Sequence, residues 1–160
     1  MRPASAGVTQ AHHRTGGCRR IWPGIQIFPE GAKFRIIRVA QSANREPELR
    51  QLWRDLYNAH ADLVLNGHEH SYERFAPQDP YGNLDEKRGI REFVVGTGGR
   101  DHGPLGFPIS NSQVRNADTF GVLKLTLSSG KYSWEFLPVE GAGEFHDSGT
   151  GTCHNEKPPR

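Results

Sequence analysis

An α/β fold of mixed α+β character, carried by residues 46–154, is predicted by three stretches of the sequence. The first begins at Pro47, a residue suited to the opening position of a helix. After it, Leu49, Leu52, Trp53, Leu56 and Tyr57 recur at i, i+3, i+4, i+7 and i+8, which predicts one amphipathic helix ending near His60. The second is Leu63-Val64-Leu65, a continuous apolar run closed by Asn66-Gly67, of the kind found in strands of parallel sheets. The third lies near the C-terminus. Leu123, Leu125 and Leu127 alternate with Val122, Lys124 and Thr126, and Tyr132, Trp134 and Phe136 alternate with polar residues. Ser128-Ser129-Gly130 joins these runs into a β-hairpin with one aromatic face turned inward.

Between these anchors the signals are shorter. Tyr72 to Phe75 and Arg91 to Val95 are candidate strands, separated by the loop "APQDPYGNLDEKRG". The second candidate runs into the glycine-rich "GTGGRDHGPLG", which lacks the P-loop pattern and is expected to be a turn rather than a phosphate cradle. By pattern alone the last twenty residues, rich in glycine and charge, predict an irregular tail. No internal repeat is visible.

Composition narrows the classes. The chain has 160 residues, enough for one domain, with 34% hydrophobic residues, 19 glycines and 11 prolines, so turns are frequent. No apolar run approaches membrane-spanning length. Cys18 and Cys153 allow at most one bridge and match no zinc spacing. The net charge of +2 conceals a split: residues 1–45 carry eight Lys/Arg and one acid, whereas residues 46–160 carry twelve Lys/Arg and seventeen acids. Such a basic arm can mark nucleic-acid or membrane contact. Residues 1–45 show no sustained helical period, no binding module and little aromatic interleaving, so nucleic-acid binding is not expected. The same stretch lacks the apolar core of a secretory signal and matches an organelle transit peptide only in being arginine-rich and acid-poor. Compartment is therefore not legible from it.

"LVLNGHEHSYERF" carries the chemistry. A buried strand ending in Gly67 releases the chain at the carboxyl edge of a sheet, where open α/β sheets place their ligands. His68 and His70 can then be directed into one pocket, and neutral imidazole is a common ligand for zinc, iron and manganese. Alone, a His-x-His pair is more often two polar surface residues than a pair of metal ligands.

"DLVLNGHEHSYERFAP" resembles the last metal-binding motif of the calcineurin-like metallophosphoesterases, and in particular the purple acid phosphatase-like branch. "PELRQLWRDLYNAHADLVLNGHEH" resembles the helix and strand leading into that motif. "REFVVGTGGRDHG", "VRNADTFGVLKLTL" and "YSWEFLP", ending in "DSGTGTCH", resemble the closing strands of its β-sandwich. The resemblance covers residues 46–154, leaves 155–160 as a tail, and implies the C-terminal part of that sandwich with flanking helices.

The resemblance implies roles as well. His68 would bind the second metal and His70 the first in a centre of iron with zinc, manganese or a second iron, acting on a phosphate-ester substrate. Glu69 would point away. Glu73, Arg74, Arg100 and His102 would stand behind the metal ligands or toward the substrate, with Glu73 and Arg74 expected to form an ion pair or to fix the loop. Family members are often secreted or periplasmic.

The family's centre also needs an Asp-x-Gly, a Gly-Asp, an Asn-His and a further histidine upstream, and none of these motifs precedes residue 63. Two histidines cannot complete a two-metal site. Arg35-Ile36-Ile37-Arg38 can be encoded so that a two-base shift reads His-His-Pro, a tripeptide that family members carry upstream of Gly-His-x-His. Residues 1–45 are therefore expected to be an irregular basic segment read out of frame, leaving Leu63–Leu65 without a neighbour on one edge. The chain is expected to be a C-terminal metallophosphoesterase fragment, inactive alone and with an incomplete metal centre. The alternative is a non-catalytic β-rich interaction domain derived from the same fold, which would have no reason to bind metal.

Overall fold

The computed structural model describes residues 47–154 and, ahead of them, the strand pieces 26–27 and 33–36. Helix α1 spans Pro47–Asn58. It stops where His60 adopts a left-handed backbone, with φ of 55°. The N–H of His60 bonds to the carbonyl of Tyr57 (2.9 Å), and that of Ala61 reaches back to Leu56 (2.9 Å). This is a Schellman closure, in which two terminal carbonyls find donors and the chain is turned toward the sheet.

Two sheets follow. Strands β1 (Gln26–Ile27), β2 (Lys33–Ile36), β3 (Leu63–Asn66), β4 (Tyr72–Phe75), β5 (Arg91–Val95) and β6 (Ser112–Asn116) form one, in the order β1-β2-β3-β5-β4-β6. Strands β7 (Gly121–Ser128), β8 (Lys131–Pro138) and β9 (Ser148–Thr152) form the other, in sequence order. β3 runs parallel to both β2 and β5, whereas β4 is antiparallel to β5 and β6. This is an α+β fold in three layers.

The alternation of side chains across the larger sheet explains the layering. Val64 and Ile90 meet Trp53, Leu56 and Ala61 on the helix side. Leu63, Tyr72 and Phe93 face the smaller sheet, where they pack with Tyr132, Trp134, Phe136 and Cys153. The predicted aromatic face is therefore the inner face of β8. Phe93 meets Trp134 edge-on at 5.5 Å between ring centroids, and Tyr72 meets Phe136 edge-on at 5.0 Å, geometries that aromatic quadrupoles favour.

Three elements differ from the expectation. The edge of β3 is covered: Phe34, Arg35 and Ile36 pair in parallel register with Leu63, Val64 and Leu65. The expected irregularity of residues 1–45 therefore does not hold at 26–27 and 33–36; the remainder of that segment, Cys18 included, lies outside the described residues. The stretch "KFRI" alternates apolar and charged residues with strand-favouring types, and an unpaired parallel edge is a template for such a stretch. β6 has the polar sequence "SQVRN" and is a strand only because β4 pairs with it. β9, "SGTGT", lies inside the stretch whose pattern suggested an irregular tail. Its glycines are required by packing: a Cβ at Gly149 would overlap the Trp134 ring, and one at Gly151 the Tyr132 ring. Residues 155–160 lie outside the described residues.

One buried carboxylate joins the sheets. Asp147, just before β9, accepts from Tyr72 Oη (2.6 Å), Arg74 Nε (2.7 Å), Arg74 Nη2 (3.1 Å) and Trp134 Nε1 (3.1 Å). Burial works against its charge, but the hydrogen bonds from Arg74 and Tyr72 and the Arg74 charge outweigh it, holding the carboxyl below the usual carboxylate range. Burial and the neighbouring carboxylate push the Tyr72 phenol well above its ordinary value.

Because the folded-state pKa of Asp147 is depressed, its contribution is complete above the ordinary aspartate pKa of about 3.9 and is lost as pH falls through the lower folded value. Asp147→Asn is expected to lower unfolding free energy by about 3 kcal/mol at neutral pH, as for other broken buried ion pairs. Urea melts at pH 7 and pH 3 should show the gap between wild type and variant narrowing at the lower pH.

Candidate functional site

The candidate site is built where β3 ends. Asn66 closes the strand, and its buried side-chain Nδ2 donates to the carboxylate of Glu92 on the helix side of β5. Gly67 then lets the chain pass close to β5, since a Cβ there would stand 3.3 Å from the carbonyl oxygen of Val95. His68 follows, exposed, and His70 comes two residues later, half-buried.

The loop after β5 holds this turn in place. Gly96 N donates to Ser71 O (2.9 Å) and Gly103 N to His70 O (3.0 Å). The two backbones approach so closely that a Cβ at Gly96 would overlap the carbonyl of Glu69, a position only glycine can occupy. Thr97, fully buried, anchors the same loop to the smaller sheet by donating its hydroxyl to Gly121 O (2.9 Å). The glycine-rich stretch is thus a packed turn at its start, and it opens to solvent at Gly98 and Gly99.

This stitching brings Asp101 to His70, with the carboxylate 3.6 Å from Nδ1. Arg100 donates from Nε to the same carboxylate at 3.0 Å. That hydrogen bond, with the Arg100 charge, holds Asp101 below the usual carboxylate range against its slight desolvation. A carboxylate on one ring nitrogen of a histidine leaves the other nitrogen free as an acceptor or ligand. Sequence spacing gave no sign of Asp101, because its place opposite His70 arises only when the two loops pair.

The other candidates are placed differently. Glu73 and Arg74 do not pair with each other, because neighbours on a strand point to opposite faces. Glu73 takes Ser112 Oγ (2.6 Å) and the Arg115 guanidinium (3.1 Å). Arg74 is committed to Asp147, to Gln113 and to the Trp134 face, 5.1 Å from its centroid. Both fix the sheet beneath the loop. His102 stacks on Phe120 with ring centroids 3.9 Å apart and planes at 26°. Both its ring nitrogens are closed to solvent and lack a hydrogen-bond partner among the described residues. Arg100 remains exposed at the rim.

Among the described residues, no group of three or more His, Cys, Asp or Glu stands close enough together to hold a metal ion. A two-metal centre needs several protein donors on each ion. The described residues therefore do not fit a complete binuclear centre. Among them, no helix is long and apolar enough to cross a membrane.

A helix on one face of a mixed sheet, a smaller antiparallel sheet on the other and a Gly-His-x-His turn at a parallel-strand end together resemble part of a purple acid phosphatase. The structure is similar to that of purple acid phosphatase PPD1 isolated from yellow lupin (Lupinus luteus) seeds, with a TM-score of 0.54 and 25% sequence identity. The match covers 67% of this chain and 20% of that chain. No family model matches the sequence, and no curated protein matches it.

Gly96→Ala is expected to separate the two loops. Protection of the backbone amides at position 96 and at Gly103, which donate to Ser71 O and His70 O, should fall several-fold by hydrogen exchange, while that of β8 is unchanged.

Proposed function

We propose that this chain is the C-terminal part of a binuclear metal-dependent phosphoesterase, contributing His68 and His70 as ligands and lacking phosphatase activity by itself. The observation that supports this reading best is the turn at the end of β3. It presents Gly67-His68-Glu69-His70 beside the loop at 96–103, in a fold shared with a purple acid phosphatase. Asp101 beside His70 adds a carboxylate of the kind that commonly orients metal-binding imidazoles.

Inactivity follows from the donor count. Hydrolysis by a two-metal centre requires both ions held in fixed positions, and the described residues hold too few donors for that. The proposed substrate class for the complete fold is phosphate esters. Metal binding separates this reading from that of a non-catalytic interaction domain, which has no need of ligating histidines.

Zinc titration followed by NMR is expected to shift the imidazole resonances of His68 and His70 together, leaving the packed ring of His102 unmoved. Purified chain should not hydrolyse an aryl phosphate above background. Turnover that disappears in His68→Ala would overturn the inactive reading, and zinc-insensitive imidazoles would overturn the ligand assignment.

A further inference from the structure

The two sheets have unequal edges. β6 borders the larger sheet and carries Arg115 and Gln113, and its pairing with β4 is interrupted by a register shift at Arg74/Phe75. Charges and bulges of this kind discourage pairing with another chain. β7 has neither safeguard. It is eight residues long, keeps an unbroken register with β8, and has no strand on its other side among the described residues. Its one charged residue, Lys124, is already paired with Glu135 across the hairpin at 3.2 Å.

The direction of its free backbone groups can be read from Gly121. Gly121 N donates to Thr97 O (3.1 Å) and Gly121 O accepts from Thr97 Oγ1 (2.9 Å), so this residue faces away from β8. Backbone groups alternate along an antiparallel strand. Those of Leu123, Leu125 and Leu127 therefore face the open edge, while Val122, Lys124, Thr126 and Ser128 bond to β8. The same three leucines point inward and pack on the aromatic core, yet remain only partly covered. Among the described residues the sandwich is open beyond β7, with an apolar seam and an unpaired hydrogen-bonding edge at the same place.

We propose that β7 is a self-association edge, pairing antiparallel with β7 of a second copy of this chain about a two-fold axis at Leu125. In that register Leu123 lies opposite the partner's Leu127, and Leu125 lies opposite the partner's Leu125. With the symmetry mate, Leu127 opposite the partner's Leu123, that makes three hydrogen-bonding pairs and about six new backbone bonds. Lys124 falls opposite the partner's Thr126, so like charges are not directly opposed. Sliding the strands to centre on Lys124 would set two ammonium groups face to face, which cross-strand pairing disfavours. Sliding the other way shortens the ladder. The favoured register extends the three-stranded sheet into a continuous six-stranded one and closes the leucine seam of each copy with that of the other. Symmetric interfaces of this isologous kind are the commonest route to a dimer.

Sedimentation equilibrium of the full chain across the micromolar range tests the proposal. The expected mass is twice the 17.9 kDa of the chain, and Leu125→Lys, which sets like charges together at the axis, should return it to one chain. Leu125→Cys in a Cys18→Ser background should give a covalent dimer on mild oxidation, whereas Val139→Cys, off the strand, should not. A wild-type chain that stays monomeric overturns the proposal. So does a dimer that survives Leu125→Lys and yields no Leu125→Cys cross-link. If circular dichroism shows Leu125→Lys to be unfolded, the cross-link alone decides.

Discussion

Removing a carboxylate from water costs several kcal/mol, and Asp147 bears that cost because four donor contacts converge on it. The donors come from β4 and β8, on different sheets, so the carboxylate fixes the separation and rotation of the layers as well as joining them. The consequences spread outward. Arg74, held by Asp147, stands against Trp134 on one side, and Arg91 lies at the same 5.1 Å distance from that ring centroid. Trp134 in turn demands a backbone without a side chain beside it, which Gly149 supplies. The aromatic layer, the glycine-rich final strand and the position of β4 are one linked set of constraints.

The Gly-His-x-His turn depends on that set at one remove. β4 begins only two residues after His70, and β5 leads directly into the loop that lies on the turn. With β4 and β5 locked in antiparallel register, Gly96 is carried against Glu69 and Ser71, and Asp101 is carried to His70. Local precision at the site is thus inherited from the sandwich, whose polar knot lies at Asp147. Glu73 and Arg74 belong to this support. Their charges are consumed by Arg115 and Asp147, and they act on the loop by holding the strand on which it rests.

Opposite ends of β3 have opposite character. Beyond Gly67 the chain is exposed and bears the histidines. At the start of the strand, Asp62 is buried, and its carboxylate accepts the backbone N–H of His154 at 2.7 Å. That contact ties the last described residues to the root of the central strand. It also places Cys153 near a negative charge. Burial first, and Asp62 second, push the Cys153 thiol up to about 11, so the sulfur behaves as a small apolar core residue rather than a nucleophile.

The sequence by itself determined the elements whose signal is local. Helix α1, strand β3 and the β7–β8 hairpin were legible because burial on one side imposes a period of 3.6 or 2 on apolar residues, or a continuous apolar run. The place of His68 and His70 on a turn after β3 was legible for a similar reason, since strand, glycine and turn are contiguous, whereas their proposed role as ligands came from the family resemblance. Tertiary structure decided the rest. β6 and β9 have almost no apolar pattern, and they are strands because β4 and β8 offer them edges; the pairing energy lies in the neighbour. β2 extends the sheet for the same reason. Asp101 meets His70 across 31 positions and Asp147 meets Arg74 and Tyr72 across 73 or more, and no window along the chain contains those contacts. Glu73 and Arg74, adjacent in sequence and opposite in charge, suggested a mutual pair, but the pleat of the strand sent them to different faces and different partners.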